Sequence, residues 1–305
     1  MSVLFDLRTS VADWLWLRTV TEHRSRMGYR DSPRYTRYWK QAQKLSGGIA
    51  AQTPVGKKNA AHFQRDGWAA FTTAETARAA SEILAVMKAE EATGVETWRP
   101  NGRYALGDVW QKFPQVESLF RGVIGDFLQG AFNSHYKIFY GTSYRSWRQR
   151  DYPTGSELWH ADGGPGTCIN LMFCLTPSTR TNGTMELISW HDSLEIFRKE
   201  RAIVRERIAQ SGNSLGEGPR TTRAEFYAEQ IAAHYAERIQ QPTAGPGMIY
   251  AFTNNLIHKG GFPGAGEERY VLLFHVYPSA GPMPFDVYRE RGVPKTAPLP
   301  RDPAF

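Results

Sequence analysis

Short runs rich in aromatic and β-branched residues dominate the chain from residue 135 onwards, and Gly, Pro and Asn clusters separate them. This pattern is typical of strands in a barrel or a sandwich of antiparallel sheets. Hydrophobic residues make up 41% of the 305 residues, enough for a large core, which excludes a wholly disordered chain. The predicted strands are HYKIFYGTSYRSW (135–147), TCINLMFCLTP (167–177), TMELISW (184–190), GMIYAF (247–252) and RYVLLFHVYP (269–278).

Helical patterns precede these strands, and apolar residues recur in them at helical spacing. Ser10 and Thr73 are suitable N-cap residues for two of them. Between the helical patterns, the polar stretch at 50–59 predicts a loop, and residues 62–73 predict a short strand. The predicted helices cover residues 10–28, 32–45, 75–94 and 115–131.

Residues 194–240 interrupt the predicted strands with two further helical patterns, which a glycine-rich turn at 212–218 joins. An insertion of this size is often a lid or an assembly surface, and we expect a mobile helical cover over a site. A fixed helical hairpin on the outside of the barrel is the alternative. The apolar stripes that need a partner comprise Leu194, Ile196, Phe197 and Ile203, then Phe226, Ile231, Ala232 and Tyr235.

No linker or internal repeat divides the chain, so we expect a single domain. It would comprise an N-terminal helical extension (1–61), a core (62–280) that contains the insertion, and a proline-rich tail (281–305). The aromatic residues between positions 14 and 39 are expected to pack the extension on the barrel.

The charge and the cysteine content bear on the chemistry of the partners and on the cellular compartment of the protein. Its formal charge is +7, with basic clusters at 18–44 and around Arg145 and Arg148, which suit an acidic partner or are simply solvated surface. No apolar run is long enough for a transmembrane helix, and the N-terminus lacks the pattern of a secretory signal. Cys168 and Cys174 cannot form a disulfide framework and are expected to be packing residues, so we expect a cytoplasmic protein.

The segment SELWHADGGPGTCINLMF carries the strongest chemical signal. His160 and Asp162 stand two residues apart at the end of a strand-like run, so both side chains can reach one metal ion. His258 follows the predicted strand at 247–252 and suits a third ligand, while Arg269 can bind a carboxylate with two hydrogen bonds. Two histidines and a carboxylate form the facial triad of non-haem Fe(II) oxygenases. The alternatives are ordinary surface or hydrogen-bonded residues for the triad, and a strand-edge salt bridge with Glu267 or another acid for the arginine.

On these residues the chain resembles the phytanoyl-CoA dioxygenase-like branch of the Fe(II)/2-oxoglutarate-dependent oxygenases. That family has an H-x-D motif, a distal histidine and an arginine about eleven residues later, and His160, Asp162, His258 and Arg269 match those positions. HFQRDGWAAFTTAETARAASEIL resembles the opening strand and helix of the family, and NGTMELISWHDSLEIF resembles its Asn-Gly strand. The resemblance covers residues 62–280.

The resemblance implies a mainly β fold, a double-stranded β-helix or cupin-like jelly roll with flanking helices and an α-helical insertion. The triad would hold Fe(II), and Arg269 would anchor 2-oxoglutarate by its distal carboxylate. The implied reaction consumes O2 and 2-oxoglutarate and hydroxylates an unactivated C–H bond of a small acidic or natural-product substrate. Arg145, Arg148 and His191 are candidate substrate contacts, and His275 is expected to be a core or strand-face residue.

The sequence departs from the family pattern at two sites and keeps it at a third. Ser189-Trp190-His191 replaces the usual Gly-Ser-His, which predicts a reshaped entrance, and Gly260 stands where a hydroxyl residue often binds the cosubstrate. Asp162 is retained, whereas related halogenases have Gly or Ala there, so its presence favours oxygenation over halogenation.

Other functions remain open from the sequence. The same centre can catalyse desaturation, epimerisation, cyclisation or halogenation, and a catalytically silent barrel can bind an acidic ligand. Demethylation of nucleic acid is disfavoured because the second downstream arginine of those enzymes has no counterpart in this sequence. A small-molecule substrate is therefore expected, and the oligomeric state is open.

Overall fold

Two antiparallel sheets form the centre of the computed structural model, which describes residues 33–93, 109–148, 151–162, 168–197, 199–200, 218–254 and 256–286. The strands are β1 (Trp68–Phe71), β2 (His135–Trp147), β3 (Ile169–Cys174), β4 (Glu186–Leu187), β5 (Met248–Thr253), β6 (His258–Lys259) and β7 (Glu268–Ser279). One sheet has five strands in the order β1-β5-β3-β7-β2, and the other pairs β4 with β6. Every strand pairing is antiparallel, as expected for a jelly roll.

Helices flank the larger sheet, and two of the helices lie between β4 and β5 in the chain. They are α1 (Pro33–Ser46), α2 (Pro54–Asp66), α3 (Ala74–Ala92), α4 (Val109–Lys112), α5 (Pro114–Arg121), α6 (Val123–Phe132), α7 (190–197) and α8 (Gly218–His234). The predicted helices at 32–45 and 75–94 are confirmed, whereas the one at 10–28 lies outside the described residues. Within the described ranges, we find no helix with the length and hydropathy that a membrane span requires.

The predicted loop at 50–59 is wrong, because helix α2 begins inside it. Thr53 caps the helix by accepting a hydrogen bond from the Gly56 amide, and Pro54 occupies the first turn. Gly67 ends the helix with φ at 81°, a left-handed conformation that glycine adopts without strain. The predicted strand at 62–73 therefore shrinks to the four residues of β1.

Two other predicted elements are also shorter than expected. The helix at 115–131 divides into α5 and α6, and Gly122 lies between them in a non-helical conformation. The strand at 184–190 is reduced to β4, because Ser189 caps helix α7 instead of continuing the strand. Its hydroxyl accepts a hydrogen bond of 3.1 Å from the amide of Asp192.

The two faces of the larger sheet serve different purposes. On β3, the side chains of Ile169, Leu171 and Phe173 pack into the main core with the helices. The alternate residues of this strand and of its neighbours point toward β4 and β6, where Met172 and Cys174 pack with Leu187. The inner face therefore belongs to the space between the sheets.

The N-terminal helices pack closely on α6. Gly130 lies so near that a Cβ there would be 2.6 Å from the Cβ of Ala51 and 2.9 Å from that of Ala60. The indole of Trp39 donates a hydrogen bond of 2.6 Å to the carbonyl of Phe132 and packs edge-on against its ring. Trp39 thus packs the extension on helix α6, and the other aromatic positions of 14–39 lie outside the described residues or side chains.

The helical insertion packs on the strand ends beside the predicted metal ligands. Its buried apolar residues form one cluster with Trp159, Ala161 and Ile257, which flank those ligands, and with Ile188 and Trp190. Ala232 is an exception to the predicted stripe because it is exposed, and Ile203 lies outside the described residues. The partner of these stripes is thus the chain's own barrel mouth, and the mobility of the cover remains a prediction.

Candidate metal centre and adjoining cavity

The two histidines of the predicted triad are fixed side by side by the backbone. His160 and His258 exchange two hydrogen bonds, each of 2.8 Å, between their amides and carbonyls. Their rings consequently lie 4.3 Å apart between centroids. The ring of His258 also packs against Phe252 of β5, so the inner face of the larger sheet supports it.

Asp162 completes the cluster from the same segment as His160. Its amide donates a hydrogen bond of 2.8 Å to the carbonyl of Asn254, which fixes the backbone at the end of the H-x-D motif. One carboxylate oxygen lies 3.5 Å from Nε2 of His160, and the other lies 3.7 Å from Nε2 of His258. The donor atoms of the three residues all lie within 4.8 Å of one another. The structure therefore brings together the three residues that the sequence singled out.

Backbone carbonyls orient both imidazole rings. Nδ1 of His160 lies 2.7 Å from the carbonyl oxygen of Leu158, and Nδ1 of His258 lies 2.7 Å from that of Leu256. Because a carbonyl only accepts hydrogen bonds, Nδ1 carries the proton in each ring, and Nε2 presents its lone pair to the other donors. Metal-binding histidines are commonly held by this kind of contact.

The electrostatic environment favours the protonation states that a metal ion needs. Burial and the neighbouring His160 lower the pKa of His258 to about 4. Burial alone would raise the pKa of Asp162, but its contact with His160 and the charges of the nearby histidines bring that pKa well below the usual range. At neutral pH, His258 is thus neutral and Asp162 is ionised, as metal ligation requires.

Asn170 of β3 holds the carboxylate from the side of the sheet. Its Nδ2 donates a hydrogen bond of 2.6 Å to Oδ2 of Asp162. Only 2% of Asn170 is exposed, so the surrounding sheet fixes its amide. This contact was not foreseen from the sequence, although the position of Asn170 between apolar residues of a predicted strand marks it as a polar group facing the interior.

Arg269 is buried at the start of β7, on the inner face of the sheet. Its Nη1 donates a hydrogen bond to the carbonyl of Gly183, and Nε has no hydrogen-bond partner among the described residues. Glu267 is exposed, and the described part of the chain shows no ion pair of Arg269 with it or any other acid. Part of this guanidinium is therefore left for an acceptor that is not part of the described protein.

Gly260 approaches both Arg269 and the segment before the H-x-D motif. A Cβ at this position would lie 3.9 Å from Nη2 of Arg269 and only 3.2 Å from the carbonyl oxygen of Ser156. The amide of Gly260 donates a hydrogen bond of 2.7 Å to that carbonyl. Close packing against Ser156 thus leaves little room for a side chain at position 260.

A cavity of about 440 Å³ opens beside the three converging residues. Its walls come from the segment that leads into the H-x-D motif and from one face of helix α8. The lining residues are Thr154, Gly155, Ser156, Leu158, Trp159, His160, Ala161, Asp162, Arg223, Ala224 and Tyr227.

The three predicted substrate contacts do not line this cavity. Arg145 forms ion pairs with Glu91 of α3 and Glu268 of β7, because it lies opposite Tyr270, on the helix-facing side of the sheet. Arg148 pairs with an exposed aspartate at the end of β2, and His191 is exposed on helix α7.

The remaining candidates lie largely where they were expected. Cys168 and Cys174 are buried, unpaired thiols, and burial raises the pKa of both. His275 lies on β7 directly opposite Asn170, on the inner face, and burial lowers its pKa.

Sequence reasoning missed Arg223 and Tyr227, which form the cavity wall on α8. They lie four residues apart on the face of the helix that also carries the buried Phe226 and Ile231. An arginine that continues an apolar stripe is the signal that could have pointed to a buried polar role. Arg223 pairs with Glu200, which lies in the first half of the insertion. This pairing depends on tertiary structure.

Comparisons with known proteins concern the fold of the chain. No family model matches the sequence, and no curated protein is significantly similar to it. Two solved structures align with a TM-score of 0.50 each. One is the epimerase SnoN in complex with Fe3+, alpha-ketoglutarate and nogalamycin RO, which is 13% identical and covers 80% of this chain and 92% of its own. The other is EctD from S. alaskensis with bound Fe, which is 18% identical and covers 80% of this chain and 86% of its own.

The chain therefore shares the fold of these two iron-containing proteins. The predicted double-stranded β-helix with flanking helices is thereby confirmed, and it agrees with the sequence resemblance to phytanoyl-CoA dioxygenase-like enzymes. At these identities the likeness concerns the architecture, so the chemistry of this chain has to be argued from its own residues.

Proposed function

We propose that the chain is an Fe(II)- and 2-oxoglutarate-dependent dioxygenase that hydroxylates a small organic substrate. The observation that carries this proposal is the convergence of His160, Asp162 and His258 beside a cavity. Two histidines and one carboxylate are the donor set of non-haem Fe(II) oxygenases, in which three coordination positions stay open.

The donor geometry suits a metal ion. Neighbouring ligands that each lie ~2.1 Å from one ion are about 3 Å apart when the angle between them is near 90°. The observed separations of 3.5 and 3.7 Å between the imidazole nitrogens and the carboxylate oxygens are slightly longer, so a small inward shift of the side chains closes the site. Backbone contacts at both Nδ1 atoms and the amide of Asn170 already fix the orientations.

Arg269 is the residue that would hold 2-oxoglutarate. Its guanidinium is buried, and its Nε lacks a partner among the described residues, which leaves it able to bind a carboxylate in a site with little water. When bound, iron, 2-oxoglutarate and O2 supply the oxidising chemistry, and the protein supplies position and exclusion of water. SnoN, which shares the fold, was crystallised with iron and alpha-ketoglutarate.

The insertion provides the wall that shields the substrate. Arg223, Ala224 and Tyr227 of α8 line the cavity, and the apolar side of the same helix packs into the cluster beside His160 and His258. A substrate in this cavity is held between the metal ligands and the helix, where water is excluded from the reacting carbon.

Hydroxylation is the proposed outcome, in preference to halogenation, because Asp162 occupies the ligand position that halogenases leave open. Desaturation, epimerisation and cyclisation use the same centre, and substrate placement decides among them. A silent binding barrel is less well supported, because a silent site would not require oriented donor atoms. The two buried free thiols suit a reducing compartment, and we propose a cytoplasmic location.

Reconstitution of the purified full-length chain tests the proposal. We expect succinate to form from 2-oxoglutarate only when Fe(II) and O2 are present, and extracts of candidate substrates to yield a product that has gained one oxygen atom. His191→Ala is a matched control, because this histidine is exposed on the adjoining helix. Failure of the iron-loaded protein to form succinate with or without substrate would contradict the proposed chemistry.

A further inference from the structure

A buried ion pair forms part of the cavity wall on the side of the helical insertion. Arg223 of α8 is only 7% exposed and Glu200 only 1%. Nε of Arg223 donates a hydrogen bond to Oε1 of Glu200. The hydroxyl of Tyr227 donates a hydrogen bond of 2.7 Å to Oε2 of the same carboxylate. Both oxygens of Glu200 are therefore engaged, and the arginine is held in one position.

The rest of the Arg223 guanidinium has no use within the described protein. An arginine carries five N–H donors, and of those of Arg223 only Nε is paired with a described residue. Nη1 is buried and has no hydrogen-bond partner among the described residues. An unsatisfied buried donor is costly, so an acceptor that completes this guanidinium gains more than one bound at the surface.

The position of Arg223 points to the substrate. Arg223, His160 and Asp162 line the same cavity, whereas Arg269 is absent from its lining. The two arginines thus serve different places, and an acceptor on Arg223 shares its cavity with the reacting centre. Trp159 and Tyr227 add aromatic surface to the walls, which suits an apolar body attached to the polar group.

We propose that Arg223 determines specificity by binding an oxyanion of the substrate, a carboxylate or a phosphate ester, so that this end lies at α8 and the rest of the molecule extends towards the triad. The inference rests on the proposed function and deepens it by naming the class of substrate. Arginine matches such groups because its planar fork can give two parallel hydrogen bonds. Glu200 balances the charge of the arginine, so the site remains stable before the acid binds.

Equilibrium binding of three probes tests this assignment without turnover. The probes are 2-naphthoate, 2-naphthyl phosphate and the neutral 2-naphthylmethanol, titrated by fluorescence into the full-length protein with and without Fe(II) and 2-oxoglutarate. We expect at least one acid to bind more tightly than the alcohol. Preference between the two acids identifies the carboxylate or the phosphate as the natural group.

Arg223→Gln should weaken binding of the preferred acid by roughly tenfold to a hundredfold and leave the alcohol unchanged, because only the charge-assisted hydrogen bonds are lost. Glu200→Gln should tighten the acid, because the positive charge is no longer balanced. The double variant Arg223→Gln/Glu200→Gln avoids an unpaired buried carboxylate if the single variant fails to fold. Arg238→Gln is the control, since this arginine lies on the same insertion, is largely exposed and pairs with Asp192.

Equal binding of acids and alcohol by the wild type, or no binding of either acid, would overturn the assignment. An Arg223→Gln variant that loses affinity for 2-oxoglutarate instead of the probes would also overturn it. These outcomes are separable from failure of the proposed function: acid binding without any iron-dependent succinate contradicts only the oxygenase chemistry, and succinate formation without acid preference contradicts only the role of Arg223.

Discussion

His160 and His258 face each other across a reciprocal pair of 2.8 Å backbone hydrogen bonds. The pairing holds the two backbones side by side, and the carbonyls of Leu158 and Leu256 orient the rings through their Nδ1 atoms. Asp162 then reaches the same point, because its own amide is tied to the carbonyl of Asn254. The candidate centre is therefore largely formed before any ion binds, so that its side chains need to rearrange little on binding.

Asn170 is predicted to position the carboxylate of Asp162. Asn170→Ala removes the 2.6 Å hydrogen bond to Oδ2, and we expect Fe(II) affinity to fall by about tenfold, the lower end for a contact that orients a metal ligand. Isothermal titration with Fe(II) under anaerobic conditions measures this change. Asn170→Asp adds a like charge next to Asp162 and should not rescue binding. Unchanged affinity in both variants would show that the sheet alone holds the carboxylate.

Acid should destabilise the metal-free protein through His258. The pKa of this group is about 4 in the folded chain and 6.5 in the reference state, so the unfolded chain takes up a proton first as pH falls. The free energy of unfolding is therefore unaffected by this group above pH 6.5. It falls between about pH 6.5 and 4, by up to ~3 kcal/mol. Urea unfolding at pH 7 and pH 4.5 measures it.

His258→Gln is the control for this pH dependence, because it lacks the titrating ring. The difference in unfolding free energy between the two pH values should be smaller in the variant than in the wild type. Identical pH dependence in both proteins would mean that other groups account for the acid sensitivity.

Arg269→Lys is predicted to weaken 2-oxoglutarate binding and spare the metal. Lysine keeps the charge but loses the planar fork, and we expect roughly tenfold to a hundredfold lower apparent affinity for 2-oxoglutarate. Iron content should stay at the wild-type level, since this side chain is not among the converging donors. Titration of 2-oxoglutarate into the Fe(II)-loaded proteins gives both numbers. An unaltered requirement would assign the carboxylate to another basic residue.

Helix α8 is predicted to become more protected when a substrate binds. It forms one wall of the cavity and carries Arg223, so a bound acid would link it to the rest of the site. Hydrogen exchange of residues 218–234 should slow after addition of substrate to the Fe(II)- and 2-oxoglutarate-loaded protein, while α3 in the main core stays unchanged. Strong protection of α8 in the free protein, unaltered by substrate, would leave the insertion as a fixed structural hairpin.

The strands and the triad could be predicted because they depend on local patterns. The residues of β2 and β7 were predicted almost to their ends, because runs of aromatic and β-branched residues between Gly, Pro and Asn clusters mark strands, and the H-x-D spacing places two donors on the same side. Helix α2 was missed although Thr53, Pro54 and Gly67 mark its two ends. The polar residues at 50–59 favoured a loop over a helix.

Other features depend on tertiary contacts that spacing does not encode. Arg145 was a candidate substrate contact, but the register of β2 turns it towards Glu91 on α3. Conversely, the pairing of Arg223 with Glu200 joins two halves of the insertion, and only the packed structure shows that both are buried. Side chains that act through such pairs are the ones that sequence reasoning misassigned or overlooked.

Metal content of ligand variants tests the central claim most directly. The full-length wild type, His160→Ala, Asp162→Ala, His258→Ala and the control His191→Ala would be loaded anaerobically with Fe(II), desalted and analysed for bound iron. We predict one iron per chain in the wild type and the control, and near-total loss in the three triad variants with their folds retained. Iron retained by His258→Ala, or lost from His191→Ala, would contradict the assignment of the metal centre.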